Sequence, residues 1–398
     1  MDTLVLEQRM LTGLTVVYGN QTAYSHARVG CAREVRLTGA GFVDDKQALT
    51  SDTLYDLAAL TKLFTAVSVL QLVEQGHLRL TDRIGHVDAR FPALSDTTVE
   101  EVLTYHAVLR TPERVDEQPD AERAEQQVFA ITRARETPER LYSDMNGLLL
   151  GVVVERVSGL PYDELLKQSI LAPAGMNSTF APVPPDRLTD CVDYNHEHRV
   201  INGEYQVLST QPPGQPHDPK ARLLAQSGRL CGHAGLFSPA ADMARFAQAL
   251  LSGKLLKRQS LMQMGVNRTG YNDQRGYRQY LGCLCFAKSP VQRLSELPSW
   301  MGTHAIGMSG YTGNHFALDP DLGVFDVFLG NRCHNRVSRI LPERQAGELG
   351  LPEDGAGDVI WPDGRRVASS YHYIYKKDDM LHKPVRDCLV ESGMMGDK

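Results

Sequence analysis

The spacing of apolar residues changes twice along the chain, and this constrains the fold more than any other feature. Residues 14–18 form a β-branched run and residues 27–37 alternate loosely, which predicts a hairpin of strands. From residue 60 to residue 73 the apolar spacing becomes helical, and the pattern stops at Gly76, a residue typical of a helix end. Near the C-terminus apolar residues again alternate with polar ones, at a spacing of two residues. The chain therefore has strands at both ends and helices between them.

Two more helices are predicted in the middle of the chain. Residues 145–157 are apolar nearly all round, which is typical of a buried helix. Residues 240–251 follow Ser238 as the candidate N-cap and Pro239 at the first helical position. Residues 182–226 are rich in Pro, Asp, His and Gln with little periodicity, and we expect a surface excursion that shapes a binding cleft.

The C-terminal strands determine the fold class. Residues 314–329 predict a hairpin, with 303–308 as a neighbouring strand. The order of elements predicts an α+β fold, in which one antiparallel sheet is built from both chain ends and a helical region of about 60–260 is inserted. We expect residues 1–346 to form this domain. Residues 347–398 would be a C-terminal extension made of an extra strand and a frayed terminus.

Composition excludes several classes of partner. The formal net charge is −6 and the basic residues are scattered, so we expect no nucleic acid partner. No apolar segment approaches the roughly 18 to 20 residues that span a bilayer, so we expect a soluble protein without membrane contact. The 7 cysteines form an odd set without zinc-ligand spacing, which predicts reduced thiols, no metal and no cofactor. Residues 1–10 do not read as a secretion signal, and we expect a cytoplasmic location.

The first candidate chemical motif lies at residues 55–66. Ala59 and Lys62 stand three positions apart at the start of the first long helix, where side chains one turn apart can meet. Taken alone, a helix with one lysine is more often only a helix. The segment resembles the S-x-x-K motif of the serine β-lactamase and penicillin-binding-protein superfamily, with Ala59 in the place of the nucleophilic serine. Thr61 does not replace the hydroxyl, because two residues along a helix are a rotation of roughly 200°.

Two further segments strengthen the resemblance. Tyr142 precedes the buried helix and falls on the tyrosine that the resemblance implies as general base, with Lys62 as the cation that would depress its pKa. Asp144, expected near the substrate, falls where many members have Asn and some esterase- and aminopeptidase-like members have Asp. Residues 232–246 are very similar to a stretch of the esterase and D-aminopeptidase-like branch, in which we expect His233 to pack rather than to catalyse.

The third element of the superfamily is a strand that carries K-T-G or H-T-G. Ser309 and Gly310 match this strand, whereas Met308 replaces the cation. Because that charge recognises a substrate carboxylate, its replacement favours neutral esters, amides or thioesters. The resemblance implies that Met308, Gly310 and Tyr311 line the substrate site, and that the backbone amides of Ala59 and Tyr311 form an oxyanion hole that survives the loss of the hydroxyl.

The resemblance covers residues 13–339 and implies an acyl-transfer enzyme. With serine at position 59, that hydroxyl would attack an ester, amide or thioester, Lys62 and Tyr142 would share its proton, and Ser309 would complete the catalytic group. Water, an amine or an alcohol would then release the acyl group. The expected partner is a small-molecule acyl substrate, free or carrier-bound, and the oligomeric state is left open.

Ala59 leaves two explanations open, and a third possibility concerns the tail of the chain. In the first, the natural chain has serine at this position and Ala59 is a deliberate inactivation, which the retention of the other catalytic positions favours. In the second, the natural protein is a pseudoenzyme that binds an acylated ligand or a protein partner without turnover, which Met308 favours. In the third, the protein is an interaction module that works through residues 354–398.

Overall fold

The protein is described by a computed structural model that covers residues 1–134, 141–268, 280–289, 296–342 and 345–396. Its strands within these residues are β1 (Gly13–Asn20), β2 (Tyr24–Thr38), β3 (Gly41–Ala48), β4 (Tyr55–Asp56), β5 (Leu109–Arg110), β6 (Thr132–Arg133), β7 (His198–Ile201), β8 (Glu204–Val207), β9 (Phe237–Ser238), β10 (Phe286–Ala287), β11 (Ile306–Ser309), β12 (His315–Asp319), β13 (Val324–Asn331), β14 (Val337–Leu341), β15 (Asp358–Ile360) and β16 (Arg366–Ala368).

The helices within the same ranges are α1 (Thr61–Glu74), α2 (Ile84–Val87), α3 (Val99–Leu103), α4 (Ala121–Phe129), α5 (Asp144–Ser158), α6 (Tyr162–Leu166), α7 (Ala172–Ala174), α8 (Pro219–Ala225), α9 (Ala240–Leu251), α10 (Arg258–Met264), α11 (Gln345–Glu348), α12 (Tyr373–Lys377) and α13 (Lys383–Glu391). A 3₁₀ turn at Ala58–Leu60 leads into α1. A π-helical turn at Asp378–His382 joins α12 to α13, so the two form one helical segment.

Both ends of the chain contribute to one antiparallel sheet, as the spacing predicts. Among the described strands, seven form this sheet in the order β10-β11-β12-β13-β1-β2-β3. The N-terminal β1 pairs with β13 along its whole length, with Gly13 opposite Asn331. The helical region lies between the two groups of strands in the sequence. The α+β fold with a large antiparallel sheet is therefore confirmed.

The main hydrophobic core lies between this sheet and the helices α1, α5 and α9. Phe64 of α1 stacks on Phe246 of α9 with 4.3 Å between ring centroids, and Phe246 in turn contacts Phe316 of β12. Helix α5 is buried along most of its length, which explains why its sequence is apolar nearly all round. It ends at Gly159, whose φ of 71° lies in the left-handed region.

The structure corrects the predicted start of α9. Pro239 is the N-cap, and Ser238 makes no cap. Ser238 instead belongs to β9, where it pairs with Tyr55, and its hydroxyl lies 2.8 Å from the hydroxyl of Thr179. The surface excursion at 182–226 holds more order than its sequence indicates, because β7 and β8 form a hairpin that continues onto β14.

The C-terminal segment covers one face of the large sheet. Leu381, Val385 and Leu389 form a buried cluster with Val324 and Phe328 of β13. The expected extra strand is present as β15 and β16, but the expectation of a frayed terminus was wrong, because the positions four apart in α13 and the preceding turn bury one apolar helical face. The strands β15 and β16 pair with each other.

Two further expectations concern membrane-spanning helices and the state of the cysteines. Within the described ranges, no helix is both long enough and apolar enough to cross a membrane. All seven cysteines, which lie in those ranges, are free thiols.

Candidate active site

Ala59 is a partly exposed residue within a buried stretch. Residues 53–58 and 60–70 are buried on either side of it. Ala59 lies in the 3₁₀ turn before α1, where residues three apart lie above one another. The side chain at position 59 therefore lies on the same side of the turn as Lys62, partly exposed at the edge of the main core.

The backbone before position 59 is held in an uncommon conformation. Ala58 has a φ of 47°, in the left-handed region that residues with a side chain rarely adopt. The buried Asp56 supports it, because its carboxylate accepts from the Ala58 amide at 2.9 Å and from the His217 amide at 2.6 Å. The Asp56 carbonyl accepts from Thr312 and Asn314, which follow β11. Such strain persists only where the surroundings enforce it, and it is common at active sites.

Lys62 is fully buried below position 59 and carries a charge. Its Nζ donates to Oδ1 of Asp144 at 2.7 Å and to the His233 carbonyl at 3.3 Å. The same nitrogen lies 5.1 Å from the centroid of the Tyr142 ring. Burial alone would lower the pKa of Lys62, but the charges of Asp144 and Tyr142 raise it well above its usual value. Lys62 is therefore an ammonium at neutral pH.

Tyr142 stands beside Lys62, as the sequence predicts, but its pKa is not depressed. Burial raises the pKa of Tyr142, the Lys62 charge lowers it, and the Asp144 charge raises it again. The net direction is upward, which corrects the expectation that Lys62 depresses the phenol pKa. The Tyr142 ring stacks on Phe286 of β10 at 5.4 Å and lies 5.6 Å from the ring of Tyr105. These rings hold the phenol in a dry environment.

Asp144 is the centre of an ion network. Ser143 caps α5 through its hydroxyl, so Asp144 is placed in the first turn of the helix. Besides Lys62, Asp144 pairs with Lys220 at 3.2 Å. Lys220 also pairs with Asp218 at 3.1 Å, and Asp218 lies 3.0 Å from Nε2 of His233. Burial would raise the pKa of Asp144, but Lys62 and the other cations hold it far below its usual range.

The strand β11 runs beside position 59. A Cβ on Gly310 would lie 2.8 Å from the Leu57 carbonyl oxygen and 3.4 Å from Cβ of Ala58. Only glycine allows this approach without displacement of backbone. Met308 is fully buried in the main core, and its expected place at the substrate site stays a prediction.

Ser309 belongs to a separate polar cluster. Its hydroxyl donates to Glu296 at 2.5 Å and accepts from Nζ of Lys377 at 2.8 Å. Lys377 and Glu296 form an ion pair at 3.0 Å, and Nδ1 of His315 lies 3.0 Å from the Ser309 hydroxyl. Burial would raise the pKa of Glu296, but Lys377 and Ser309 keep it below its usual value. Sequence reasoning missed Glu296 and Lys377. Lys377 places a cation beside β11, the strand in which Met308 stands at the cationic position.

A cavity of about 690 Å³ lies beside Tyr311. Its walls come largely from the excursion at 182–226, including His217 and Arg199, as the cleft prediction expects. The Tyr311 ring stacks on His217 at 5.4 Å and lies 5.3 Å from Cζ of Arg199, and its hydroxyl donates to Glu197 at 2.8 Å. None of the described residues of the residue-59 site, namely Ala59, Lys62, Tyr142 and Gly310, is among the residues that line this cavity.

Comparison with known proteins places the chain in a family. The family model described as Beta-lactamase matches residues 7–350. A protein of Escherichia coli (strain K12), named "Putative D-alanyl-D-alanine carboxypeptidase", is 28% identical over 363 residues, which is 82% of this chain and 79% of that protein. A protein of the same name from Salmonella schwarzengrund (strain CVM19633) is 26% identical over 329 residues, 73% of this chain and 72% of that protein.

Two solved structures share the fold. A mutant of simvastatin synthase from Aspergillus terreus superposes with a TM-score of 0.59 at 17% identity, covering 82% of this chain and 86% of that chain. An octameric penicillin-binding protein homologue from Pyrococcus abyssi superposes with a TM-score of 0.59 at 18% identity, covering 83% of this chain and 72% of that chain.

Proposed function

Because the chain belongs to the beta-lactamase family, we propose that its residue-59 site binds the carbonyl of an ester, an amide or a thioester, and that serine at position 59 makes it an acyl-transfer enzyme. In the form with Ala59, the chain binds such a carbonyl without covalent attack. Two contacts carry this proposal. Lys62, one turn after Ala59, lies beside the ring of Tyr142, and Gly310 packs against the loop before position 59.

Each group has a defined part in the proposed reaction. The hydroxyl of serine at position 59 attacks the carbonyl carbon, and Lys62 and Tyr142 share the proton that it releases. The backbone amides of residues 59 and 311 donate to the oxyanion. Tyr142 then protonates the leaving group, and water, an amine or an alcohol releases the acyl group. The backbone donors do not depend on the side chain at position 59, which supports carbonyl binding by the Ala59 form.

The charges around β11 support a neutral substrate. A carboxylate on the substrate would need a cation without a partner near this strand. Lys377 lies there, but the Glu296 carboxylate is paired with its charge at 3.0 Å. The acyl donor is therefore proposed as a neutral small molecule, free or carrier-bound. A cytoplasmic location is also proposed, supported by the seven free thiols.

The alternative is a protein that binds an acylated ligand or a protein partner and never turns it over. Ala59 itself favours this alternative, and so does the ion pair of Lys62 with Asp144, which leaves no uncharged amine at the site.

The test is turnover by Ala59→Ser. Esters, thioesters, a β-lactam, a D-amino-acid amide and a D-alanyl-D-alanine peptide form the panel, since the related proteins carry a carboxypeptidase name. We expect turnover of neutral esters or thioesters, little turnover of the peptide with its free carboxylate, and none with the Ala59 chain. Ala59→Ser with Lys62→Met is the matched control. Absence of turnover across the whole panel in a folded Ala59→Ser protein would favour the binding protein.

A further inference from the structure

Two histidines and one aspartate form a buried group under the C-terminal helices. His315 of β12 and Asp326 of β13 lie on the same face of the sheet, because Asp326 pairs with Ala317, two residues from His315. His382, at the end of the π-helical turn before α13, reaches this face from above. His315 and Asp326 are 0% exposed and His382 is 2% exposed. One ligand atom from each lies within 4.8 Å of the others.

Two buried polar atoms of this group have no hydrogen-bond partner. Nε2 of His315 and Oδ1 of Asp326 are buried and make no hydrogen bond. The other carboxylate oxygen of Asp326 lies 2.7 Å from Nδ1 of His382. An unsatisfied polar atom in a protein interior is destabilising. Two such atoms within one small group are typical of a site that takes a further partner such as an ion.

The contacts of His315 leave one ring nitrogen for a further partner. Nδ1 lies 3.0 Å from the Ser309 hydroxyl and 3.3 Å from Nζ of Lys377, so this nitrogen already has hydrogen-bond partners. Nε2 is the remaining nitrogen, and a neutral imidazole binds a metal through such a nitrogen. A cation bound by Nε2 of His315 and the carboxylate of Asp326 would satisfy both unpartnered atoms.

Other groups of candidate ligands in the described ranges differ in the partners of their carboxylates. Glu197 of the group with His217 and Cys333 is already bound by Arg199 at 2.9 Å. Asp144 of the group with Asp218 and His233 is already bound by Lys62 and Lys220. In both groups, protein cations therefore neutralise the carboxylates that a metal would need.

The charge balance at the His315 group permits a dication. Lys377 lies 3.3 Å from Nδ1 of His315. Its charge is matched by Glu296 at 3.0 Å. Asp326 then contributes a carboxylate beside two imidazoles, and no described lysine or arginine is paired with it. Two imidazoles and one carboxylate are ligands that suit zinc and similar divalent metals.

We propose that His315, Asp326 and His382 bind one divalent transition metal ion, of which zinc is the representative. The hydrogen bond between His382 and Asp326 is exchanged for bonds to the metal, and any proton on the imidazole is released. The hydrogen bond between Nδ1 of His315 and Ser309 fixes the ring orientation, as outer partners of metal-bound histidines do. Sequence spacing did not reveal this site, because its ligands lie on two strands and a distant helical turn.

The metal ties the C-terminal helical segment to the sheet. His382 is the ligand from that segment, whereas His315 and Asp326 belong to adjacent strands. The same segment places Lys377 beside Ser309. This role does not depend on acyl transfer, so it can be tested without an activity measurement.

The test is metal content of the full chain. The protein is produced in zinc-supplemented medium, desalted, and analysed for zinc per chain by elemental mass spectrometry. We expect about one zinc per chain in the parent and less than about 0.2 in His382→Gln and in Asp326→Asn. Removal of the metal by a chelator should lower Tm by roughly 5 °C in the parent and leave the Tm of His382→Gln unchanged.

Two control variants separate this site from other histidines and thiols. His304→Gln removes an exposed histidine that pairs with Asp321 at 2.6 Å, and it should retain the zinc. Cys333→Ser should retain it as well. Circular dichroism establishes that each variant is folded, and His315→Gln replaces any variant that is not. The proposal is overturned if the parent holds less than about 0.2 zinc per chain after refolding in excess zinc, or if Cys333→Ser loses the metal.

Discussion

Nζ of Lys62 lies 2.7 Å from Oδ1 of Asp144, and this ion pair sets the protonation state of the residue-59 site. The Lys62 side chain is 0% exposed, so its charge depends on a partner carboxylate. Asp144 supplies that partner, and its own negative charge raises the pKa of Tyr142. The resting site therefore contains an ammonium and a neutral phenol. A base becomes available only when the Lys62 ammonium or the Tyr142 phenol loses its proton.

The first prediction concerns the pH dependence of Ala59→Ser. The general base must be deprotonated, and the net shift places the pKa of Tyr142 above its usual value of 10.0. The deprotonated fraction then rises about tenfold for each pH unit below that pKa. We expect kcat/KM for a neutral ester to rise about tenfold per pH unit, which is about 100-fold between roughly pH 7 and pH 9. A profile that levels off near neutral pH would contradict this account of the base.

The second prediction concerns Asp144→Asn in the Ala59→Ser protein. Loss of the carboxylate removes the charge that raises the pKa of both Lys62 and Tyr142. The rising limb of the pH–rate profile should move to lower pH by on the order of one unit. Glu164→Gln, which removes an exposed carboxylate 3.7 Å from Lys167, should leave the profile in place. Equal profiles for Asp144→Asn and the control would show that Asp144 does not set the protonation state.

The third prediction concerns substrate charge. In the Ala59→Ser protein, Glu296→Gln removes the carboxylate that is paired with Lys377 beside Ser309. The freed ammonium should attract a substrate carboxylate. We expect the ratio of kcat/KM for a carboxylate-bearing ester to that for its neutral analogue to rise on the order of tenfold. Asp321→Asn, an exposed carboxylate, is the control. An unchanged ratio would show that Lys377 does not reach the substrate.

The fold could be predicted from the sequence wherever an element has a local signal. The helices α1 and α5 are apparent from apolar spacing and a glycine at the end, and β12 and β13 from alternation around a turn. The helices near the C-terminus could not be predicted. Their apolar face is formed by contacts with Val324 and Phe328, about which the local sequence of the segment says nothing. The division of the chain at residue 346 stays a prediction.

The site could be predicted where a motif fixes the spacing. Lys62, Tyr142 and Gly310 could be predicted to lie near position 59 because each belongs to a segment with a recognisable motif. Glu296 and Lys377 could not be found, because they reach Ser309 from 13 and 68 positions away in the sequence. The net pKa of Tyr142 could not be found either, because it depends on how completely the folded chain excludes water.

The fourth prediction concerns the approach of β11 to the loop before position 59. In the Ala59→Ser protein, Gly310→Ala would place a Cβ 2.8 Å from the Leu57 carbonyl, which forces the strand and the loop apart. The resulting misplacement of the strand relative to position 59 should lower kcat by about 100-fold. Gly39→Ala is the matched control, since a Cβ there would meet nothing within 4 Å. Retention of activity by Gly310→Ala would show that the strand does not position the substrate.

The central claim is that position 59 lacks only a hydroxyl within an otherwise complete acyl-transfer site. Intact mass spectrometry of the Ala59→Ser protein after brief exposure to a neutral activated ester tests this most directly. The account predicts one added acyl group per chain, located by peptide mapping on residue 59 and absent from the Ala59 chain. An adduct elsewhere in the chain, or no adduct on a folded Ala59→Ser protein, would contradict it.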